Sequence, residues 1–227
     1  MADDDYKYDN LTQKLHLLKG QILIQGKNLF REGMLEFDKA IQINPENKDM
    51  WRNKILNLKI YQARKKETEG KHHPELSNEV IKCCDKLLSI DKDHLETWLW
   101  KAVACFSLKR FEDTLECEDN VLRLVPLQDD FRPGVKILAL NTKANCYYYM
   151  ERPTEAKKCL LEVLRLDPYH EEALETLHHV EIKIADRHPS DNNGLENKED
   201  ISSFCENCGN ALKPEAKFCG KCGTPAS

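Results

Sequence analysis

One phrase recurs along the chain and limits the folds that it can adopt. Three stretches end alike, and a fourth has Lys92 where the others have proline: AIQINPEN (40–47), LLSIDKDH (87–94), VLRLVPLQ (121–128) and VLRLDPYH (163–170). Counted from Pro45, Lys92, Pro126 and Pro168, the spacings are 47, 34 and 42 residues, which fit a 34-residue unit with insertions of 13 and 8. A repeated unit of this length predicts stacked copies rather than one closed core.

Each copy divides into two helical patterns around a polar break. The two insertions fall in segments of loop composition, KKETEGKHHPELSN (65–78) and LQDDFRPGV (127–135). The breaks are predicted at FREG (30–33), at the long loop 65–78, at LKRF (108–111) and at MERPT (150–154). After Pro168 the apolar residues again recur at helical spacing, which predicts a capping helix beyond the fourth repeat.

A two-helix unit of 34 residues resembles the tetratricopeptide repeat. The fourth copy, 135–168, is closest to the family pattern, with small residues at Ala144 and Ala156. The first copy departs from the pattern because Gly20 stands one position before the usual small residue, and in the third copy Thr114 and Glu118 fit poorly. The resemblance implies an all-α fold over residues 11–187, a right-handed superhelix of about four repeats plus the capping helix.

The resemblance also implies that the first helices of the repeats line a concave groove. We expect Trp51 and Trp98 to pack in the core, whereas residues turned away from the core positions would face a partner. They combine aromatic area with amide groups that can bond a peptide backbone, which suits an extended peptide or a helix. The alternative is a solvated face without a specific ligand. The predicted groove residues are Arg52, Asn53, Lys59, Trp100, Phe106, Asn141, Asn145, Tyr148 and Tyr149.

Some members of the family bind chaperone tails through a clamp of Lys, Arg and Asn on successive first helices. This chain has Leu18 and Ile22 where the first repeat of that clamp has Lys and Asn. A chaperone-tail clamp is therefore not expected.

Four of the ten cysteines form two Cys-x-x-Cys pairs, Cys205 with Cys208 and Cys219 with Cys222, and glycine follows each pair. Two such pairs can complete the tetrahedral shell of one ion. The segment 204–227 resembles a short zinc ribbon and predicts one structural Zn²⁺, because four thiolates leave no open position. A rubredoxin-like iron site and a redox dithiol are the alternatives. We expect the other six cysteines, within helical patterns, to pack as small apolar residues.

The ends of the repeat region differ from it in composition. Residues 188–203, HPSDNNGLENKEDISS, have few large apolar groups and predict a flexible linker. Residues 1–10 predict an acidic N-terminal tail. The predicted organisation is thus tail, repeat domain, linker and ribbon.

Charge and motifs exclude several functional classes. The net charge of −5 does not indicate binding to nucleic acid or to an anionic membrane. No apolar run approaches the ~20 residues that span a bilayer, and the N-terminus is unlike a secretory leader or a transit peptide. No catalytic motif is present. We therefore expect a cytoplasmic, non-enzymatic adaptor that binds a protein or peptide in its groove, with the ribbon as a second contact surface. The alternatives are a nucleic-acid-associated accessory factor of transcription or translation, and a regulatory subunit of an enzyme complex.

Overall fold

The computed structural model describes residues 2–26, 29–125 and 133–187, together with 203–204 and 211–212. These residues form nine α-helices and one two-stranded sheet, so the fold class is all-α, as predicted. The elements are α1 (Ala2–Gly26), α2 (Phe30–Ile43), α3 (Lys48–Glu69), α4 (Pro74–Ile90), α5 (Leu95–Ser107), α6 (Phe111–Leu124), α7 (Pro133–Tyr149), α8 (Pro153–Leu166), α9 (Glu171–Arg187), β1 (Ser203–Phe204) and β2 (Ala211–Leu212).

The chain divides into two compact units, Met1–Val180 and Glu181–Ser227. Within the first unit each helix from α1 to α8 contacts the next one in sequence, which gives the four predicted helix pairs. The second helices bury apolar residues three positions apart, such as Phe37 and Ala40 on α2 and Leu160 and Val163 on α8, all at 0% exposure. Short helices of this kind are stable only because neighbouring helices cover that apolar face.

The recurring phrase corresponds to a recurring turn. Asn44, Asp91 and Asp167 end α2, α4 and α8 in nearly the same extended conformation, with φ between −138° and −144°. In each case the side-chain Oδ1 accepts a hydrogen bond from the backbone N–H two residues further on. This side-chain turn satisfies backbone donors where the helix has ended, so the phrase marks the register of the repeats.

The first tryptophan of the second and third repeats closes this turn. The indole N–H of Trp51 donates to the carbonyl of Pro45, and that of Trp98 donates to the carbonyl of Lys92, both at 2.8 Å. Both rings are half-buried. They therefore pack the start of a repeat against the turn that precedes it.

The first repeat is held together by a close contact between two glycines. A Cβ at Gly33 would lie 2.4 Å from Cγ1 of Ile24 and 2.8 Å from the carbonyl oxygen of Gly20. A Cβ at Gly20 would in turn lie 3.0 Å from the carbonyl oxygen of Gly33. The backbones of α1 and α2 can approach this closely only because both positions lack a side chain. Gly20 thus takes the place of the small residue expected one position later.

Two of the predicted breaks are wrong. FREG (30–33) forms the beginning of α2, because Gly33 serves the contact with α1 rather than a turn. The long loop 65–78 is largely helical, since α3 continues to Glu69 and α4 begins at Pro74. Gly70 ends α3 with φ of 64°, and its N–H donates to the carbonyl of Lys66. The first insertion therefore mainly lengthens α3, which has 22 residues against 13 in α5.

The other boundaries agree more closely with the sequence analysis. LKRF and MERPT contain turns in which Lys109 and Glu151 adopt a φ of 59°. The capping helix is present as α9, with Ala173 and Val180 fully buried. Helix α1 begins at Ala2, so residues 2–10, predicted as a tail, are helical. Of the predicted linker 188–203, only Ser203 lies within the described residues.

Candidate functional site

Side chains of α1, α3, α5 and α7 contact one another across the repeats. Gln21 on α1 donates to Asn53 on α3 at 3.4 Å, and Arg52 on α3 donates to Glu96 on α5 at 3.0 Å. The rings of Phe106 on α5 and Tyr149 on α7 lie 6.2 Å apart. We call the set formed by these side chains, together with Lys59 and Val103 between them, the first-helix surface. It runs through all four repeats of the first unit.

Trp100 lies beneath this surface rather than on it. It is 7% exposed and belongs to a core cluster with residues of α3 and α4. Two cations cover its ring, Lys59 with Nζ at 5.0 Å and Arg52 with Cζ at 6.0 Å from the centroid. Cations at these distances are attracted by the face of an indole. The prediction that Trp100 contacts a partner is therefore wrong: its ring is buried beneath two basic residues and packs against them.

A cavity of about 250 Å³ opens beside Trp100, between α3, the α3–α4 turn and α5. We call it the α3–α5 pocket. Its lining comprises Lys59, Gln62, Ala63, Lys66, Lys71, His72, His73, Val80, Trp100, Val103, Ala104 and Ser107. Four of these residues, from Lys66 to His73, come from the end of α3 and the turn that follows it. The insertion that lengthens α3 therefore forms one side of the pocket.

Lys59 is half-buried, and no carboxylate within the described part of the chain pairs with its ammonium. Burial lowers the pKa of its ammonium, and the nearby Cys84 and Glu96 offset only part of this effect. Lys54 on the same helix shows the compensated case, because its buried ammonium contacts Asp38 at 2.7 Å and Glu79 at 3.3 Å. The two lysines of α3 thus differ in whether the chain itself supplies a counter-ion.

The α5–α7 end of the first-helix surface is aromatic. Phe111 and Tyr149 stack at 5.6 Å, Phe106 lies 5.9 Å from Phe111, and Tyr148 meets Tyr149 edge-on at 5.7 Å. Tyr149 is 59% exposed. Three of these four rings were predicted from the sequence. Phe111 was missed because it begins a second helix, and only its position directly after the turn could have indicated that it reaches the first helices.

The asparagines predicted for the groove are placed differently from one another. Asn53 is half-buried and donates to the backbone of Asp49 as well as accepting from Gln21. Asn145 is half-buried, while Asn141 is 5% exposed. The Oδ1 of Asn141 has no hydrogen-bond partner among the described residues. Asn141 is therefore an interior residue of α7 rather than part of an open face.

Two buried carboxyl groups in the first unit have pKa values that are shifted in opposite directions. Glu36 on α2 contacts His16 at 2.6 Å and both Lys19 and Lys39 at 2.9 Å. Hydrogen bonds from Lys39, His16 and Lys19 lower the pKa of Glu36 to about 2. Glu118 on α6 is 2% exposed, and burial raises its pKa to about 8. Glu118 fits the repeat pattern poorly, yet its side chain is buried in the structure.

The cysteines of the first unit behave as expected from their helical pattern. Five of the six are buried and Cys159 is half-buried, and all are free thiols. Burial raises the pKa of the Cys83 thiol to about 12. Among the residues that the structure describes, no group of three or more His, Cys, Asp and Glu side chains could hold a metal ion.

The predicted metal ligands Cys205, Cys208, Cys219 and Cys222 lie outside the described residues. The described part of this segment is the antiparallel pair β1 and β2, with Ser203 opposite Leu212 and Phe204 opposite Ala211. The first Cys-x-x-Cys pair falls between these two strands in the sequence. The donor set fits zinc, since four thiolates match its preference for a closed tetrahedral shell.

Comparison with protein families now identifies both parts of the chain. Residues 137–170 match the model of the tetratricopeptide repeat, and residues 204–226 match that of the zinc-ribbon domain. The chain therefore contains a tetratricopeptide repeat and, C-terminal to it, a zinc-ribbon domain. The matched repeat is the fourth copy, the one closest to the family pattern by sequence. No curated protein sequence matches the chain.

Solved structures share the fold at low sequence identity. The crystal structure of the MamA protein gives a TM-score of 0.60 at 14% identity, over 89% of this chain and 98% of that one. MamA of Desulfovibrio magneticus RS-1 gives 0.56 at 14% identity, over 83% and 97%. The pilF protein of Pseudomonas aeruginosa gives 0.50 at 16% identity, over 81% and 74%. At these identities the similarity shows the fold alone.

None of the helices that the structure describes is both long enough and apolar enough to cross a membrane.

Proposed function

We propose that the protein is a non-enzymatic adaptor whose first-helix surface binds a partner polypeptide. Three contacts between successive first helices carry this proposal: α1 meets α3, α3 meets α5, and α5 meets α7. They are Gln21 with Asn53, Arg52 with Glu96, and Phe106 with Tyr149. Side chains from four repeats thereby form one surface that a peptide or helix could follow. Stacked helical repeats commonly present extended binding surfaces of this kind.

Apolar residues that remain exposed support the proposal. On α1 they recur at spacings of four, three and four residues, and each of them is at least 55% exposed. Val103 on α5 and Leu138 on α7 are exposed at 58% and 53%. A stripe at this spacing is typical of a helix face that packs against another helix. The α1 residues are Leu11, Leu15, Leu18 and Ile22.

Within this proposal the predicted groove residues have different roles. Arg52, Asn53, Lys59, Phe106, Asn145, Tyr148 and Tyr149 would contact the partner. Trp100 and Asn141 would support the surface from beneath, because both are buried.

For the C-terminal segment we propose one structural Zn²⁺ held by Cys205, Cys208, Cys219 and Cys222, and a second contact surface built on it. A segment of this length cannot bury a sufficient core, and metal binding would supply its folding energy. Elemental analysis of the purified chain should then find one zinc per chain, and replacement of Cys208 and Cys222 by serine should abolish it. Stoichiometric iron instead, or no metal, would contradict this part of the proposal.

We also propose a cytoplasmic location. The free thiols of α4 to α8 support it, since free cysteines are typical of a reducing compartment.

Affinity purification from native extract, followed by mass spectrometry, tests the adaptor function. Val103→Glu places a charge on the first-helix surface without altering the core, and Ile22→Glu does the same on α1. Leu35→Glu is the matched control, because Leu35 is 59% exposed on the second helix α2. We expect both first-helix variants to lose the co-purifying polypeptide and the control to retain it. The same partners with all three variants would overturn the assignment of the surface.

A further inference from the structure

All the titratable side chains that line the α3–α5 pocket are basic. The five ionisable side chains among its lining residues are Lys59, Lys66, Lys71, His72 and His73, and no acidic residue belongs to that lining. His73 is already engaged, with Glu69 and Glu75 each at 2.9 Å from its ring nitrogens. Neither Lys59, Lys66 nor Lys71 forms an ion pair within the described part of the chain. The pocket therefore holds more positive charge than the chain neutralises.

The lack of a counter-ion is least favourable for Lys59. Its ammonium is half-buried and lies over the Trp100 ring, so it has lost hydration without gaining a carboxylate. The remaining walls are apolar, formed by Val80, Val103 and Ala104. An acidic group that entered the pocket would meet a poorly hydrated cation in an environment where charge-assisted hydrogen bonds are strong.

Size and chemistry together restrict the ligand. A volume of about 250 Å³ takes one or two side chains and is smaller than the pockets that bind most small molecules. The lining contains no arginine, whose planar fork is the usual partner of phosphate groups. The net charge of −5 also works against a polyanion such as nucleic acid. These features favour a carboxylate carried by a peptide.

We propose that the α3–α5 pocket binds an acidic side chain of the partner polypeptide together with an adjacent aliphatic residue. The Lys59 ammonium contacts the carboxylate, Lys66 and Lys71 complete the positive rim, and the apolar wall formed by Val103 and Ala104 receives the aliphatic group. This inference rests on the proposed function, and it specifies the chemistry of the partner at one point of the first-helix surface.

An array of short immobilised peptides tests the inference with the full-length chain as the probe. The peptides vary two central positions over all residue types between flexible flanks. We expect the strongest signals from Glu or Asp next to Leu, Ile or Val. The best peptide is then labelled with fluorescein and its Kd is measured by anisotropy, alongside versions with Gln or phosphoserine in place of the acidic residue.

Substitutions locate the binding within the pocket. Lys59→Gln should weaken binding of the acidic peptide about tenfold or more and leave the Gln version unaffected. Lys59→Arg should retain most of the affinity. Lys86→Gln is the matched control, because Lys86 is an exposed lysine on α4 away from the pocket lining. The thermal unfolding midpoint of Lys59→Gln should equal or exceed that of the parent chain, whereas a purely structural role over Trp100 would lower it.

The outcomes separate this inference from the proposed function. Peptides that bind and lose affinity with Val103→Glu, but do not distinguish Glu from Gln, would overturn the acidic pocket and leave the adaptor function standing. Tighter binding of the phosphoserine version, or equal losses with Lys59→Gln and Lys86→Gln, would also overturn the inference. If no peptide binds, or if Val103→Glu changes nothing, both proposals fail.

Discussion

The first and third repeats each bury a glutamate on their second helix, and the two environments differ in how many cations lie within reach. Glu36 on α2 accepts hydrogen bonds from three basic side chains, and its pKa falls to about 2. Glu118 on α6 forms no ion pair among the described residues, and Lys143, whose positive charge acts on it, is paired with Asp119. Its Oε2 has no hydrogen-bond partner among the described residues, and its pKa rises to about 8.

The repeat register explains why this difference is informative. Glu118 stands eight residues before Pro126, as Phe37 does before Pro45 and Leu160 before Pro168. Phe37 and Leu160 are fully buried core residues. Glu118 therefore occupies an apolar core position, whereas Glu36 stands one position away from it, where residues of α1 can reach. Cations from both α1 and α2 stabilise the buried charge of Glu36, whereas Glu118 forms no ion pair among the described residues.

The same substitution should have opposite effects at the two sites. Glu118→Leu restores the residue type of the fourth repeat and removes an uncompensated buried carboxylate, so it should raise the free energy of unfolding by about 2–3 kcal/mol at pH 8. Glu36→Leu leaves three cations without their partner and should lower it by about 2–3 kcal/mol. Urea unfolding followed by far-UV circular dichroism measures both. Two changes of the same sign would break the comparison.

The pH dependence of stability should differ in sign as well. The folded-state pKa of Glu118 is raised above its ordinary value of 4.5, so its contribution is fully present below pH 4.5 and is lost as the pH rises through 8. Relative to Glu118→Gln, the parent chain should therefore lose about 3–4 kcal/mol between pH 5 and pH 8. Unfolding curves of the two proteins at both pH values provide the test. A constant difference between them would show that Glu118 is ionised in the folded chain.

Glu36 should act in the acidic range only. Its folded-state pKa is depressed, so its contribution is present above pH 4.5 and is lost as the pH falls toward 2. Glu36→Gln should thus lower stability by about 1–2 kcal/mol at pH 7 and by less at pH 3. Parallel acid titrations of the parent and variant, monitored by helix content, measure this. An equal loss at both pH values would indicate a packing effect instead.

Packing of the first repeat can be tested apart from its charges. Gly33 stands where the third repeat has Thr114 and the fourth has Ala156. Gly33→Ala should nevertheless lower the free energy of unfolding by about 1–3 kcal/mol, because its Cβ would overlap Ile24. Adding Gly33→Ala to the Ile24→Ala variant should lower the free energy of unfolding by less than adding it to the parent chain, because the shortened side chain at position 24 leaves room for the Cβ. If Gly33→Ala costs the same in both backgrounds, contact with Ile24 is not the reason that position 33 requires glycine.

The repeat register could be predicted from the sequence because its signals are local. Asn44, Asp91 and Asp167 each form their turn with a residue two positions away, and the phrase therefore recurs wherever the turn does. The zinc ribbon was likewise visible in the spacing of its cysteines, a pattern that the family match confirms.

The remaining features depend on contacts between distant residues. The break predicted at Gly33 is wrong because the partner of Gly33 is Gly20, thirteen positions away on another helix. Trp98 and Trp100 are two residues apart, yet one closes a turn and the other is buried under Lys59. The polar composition of residues 65–78 predicted a loop, and nothing in it indicated that the lengthened α3 would close a basic pocket against α5.

Site-specific photocrosslinking tests the adaptor function most directly. A photoreactive phenylalanine analogue is placed at position 103 on α5 or at position 161 on α8, where Leu161 is 47% exposed on a second helix. After irradiation in cells, our account predicts a crosslinked polypeptide from position 103 that carries acidic and aliphatic residues at the point of attachment, and none from position 161. Crosslinks from position 161 alone would contradict it, since the partner would then bind the second helices.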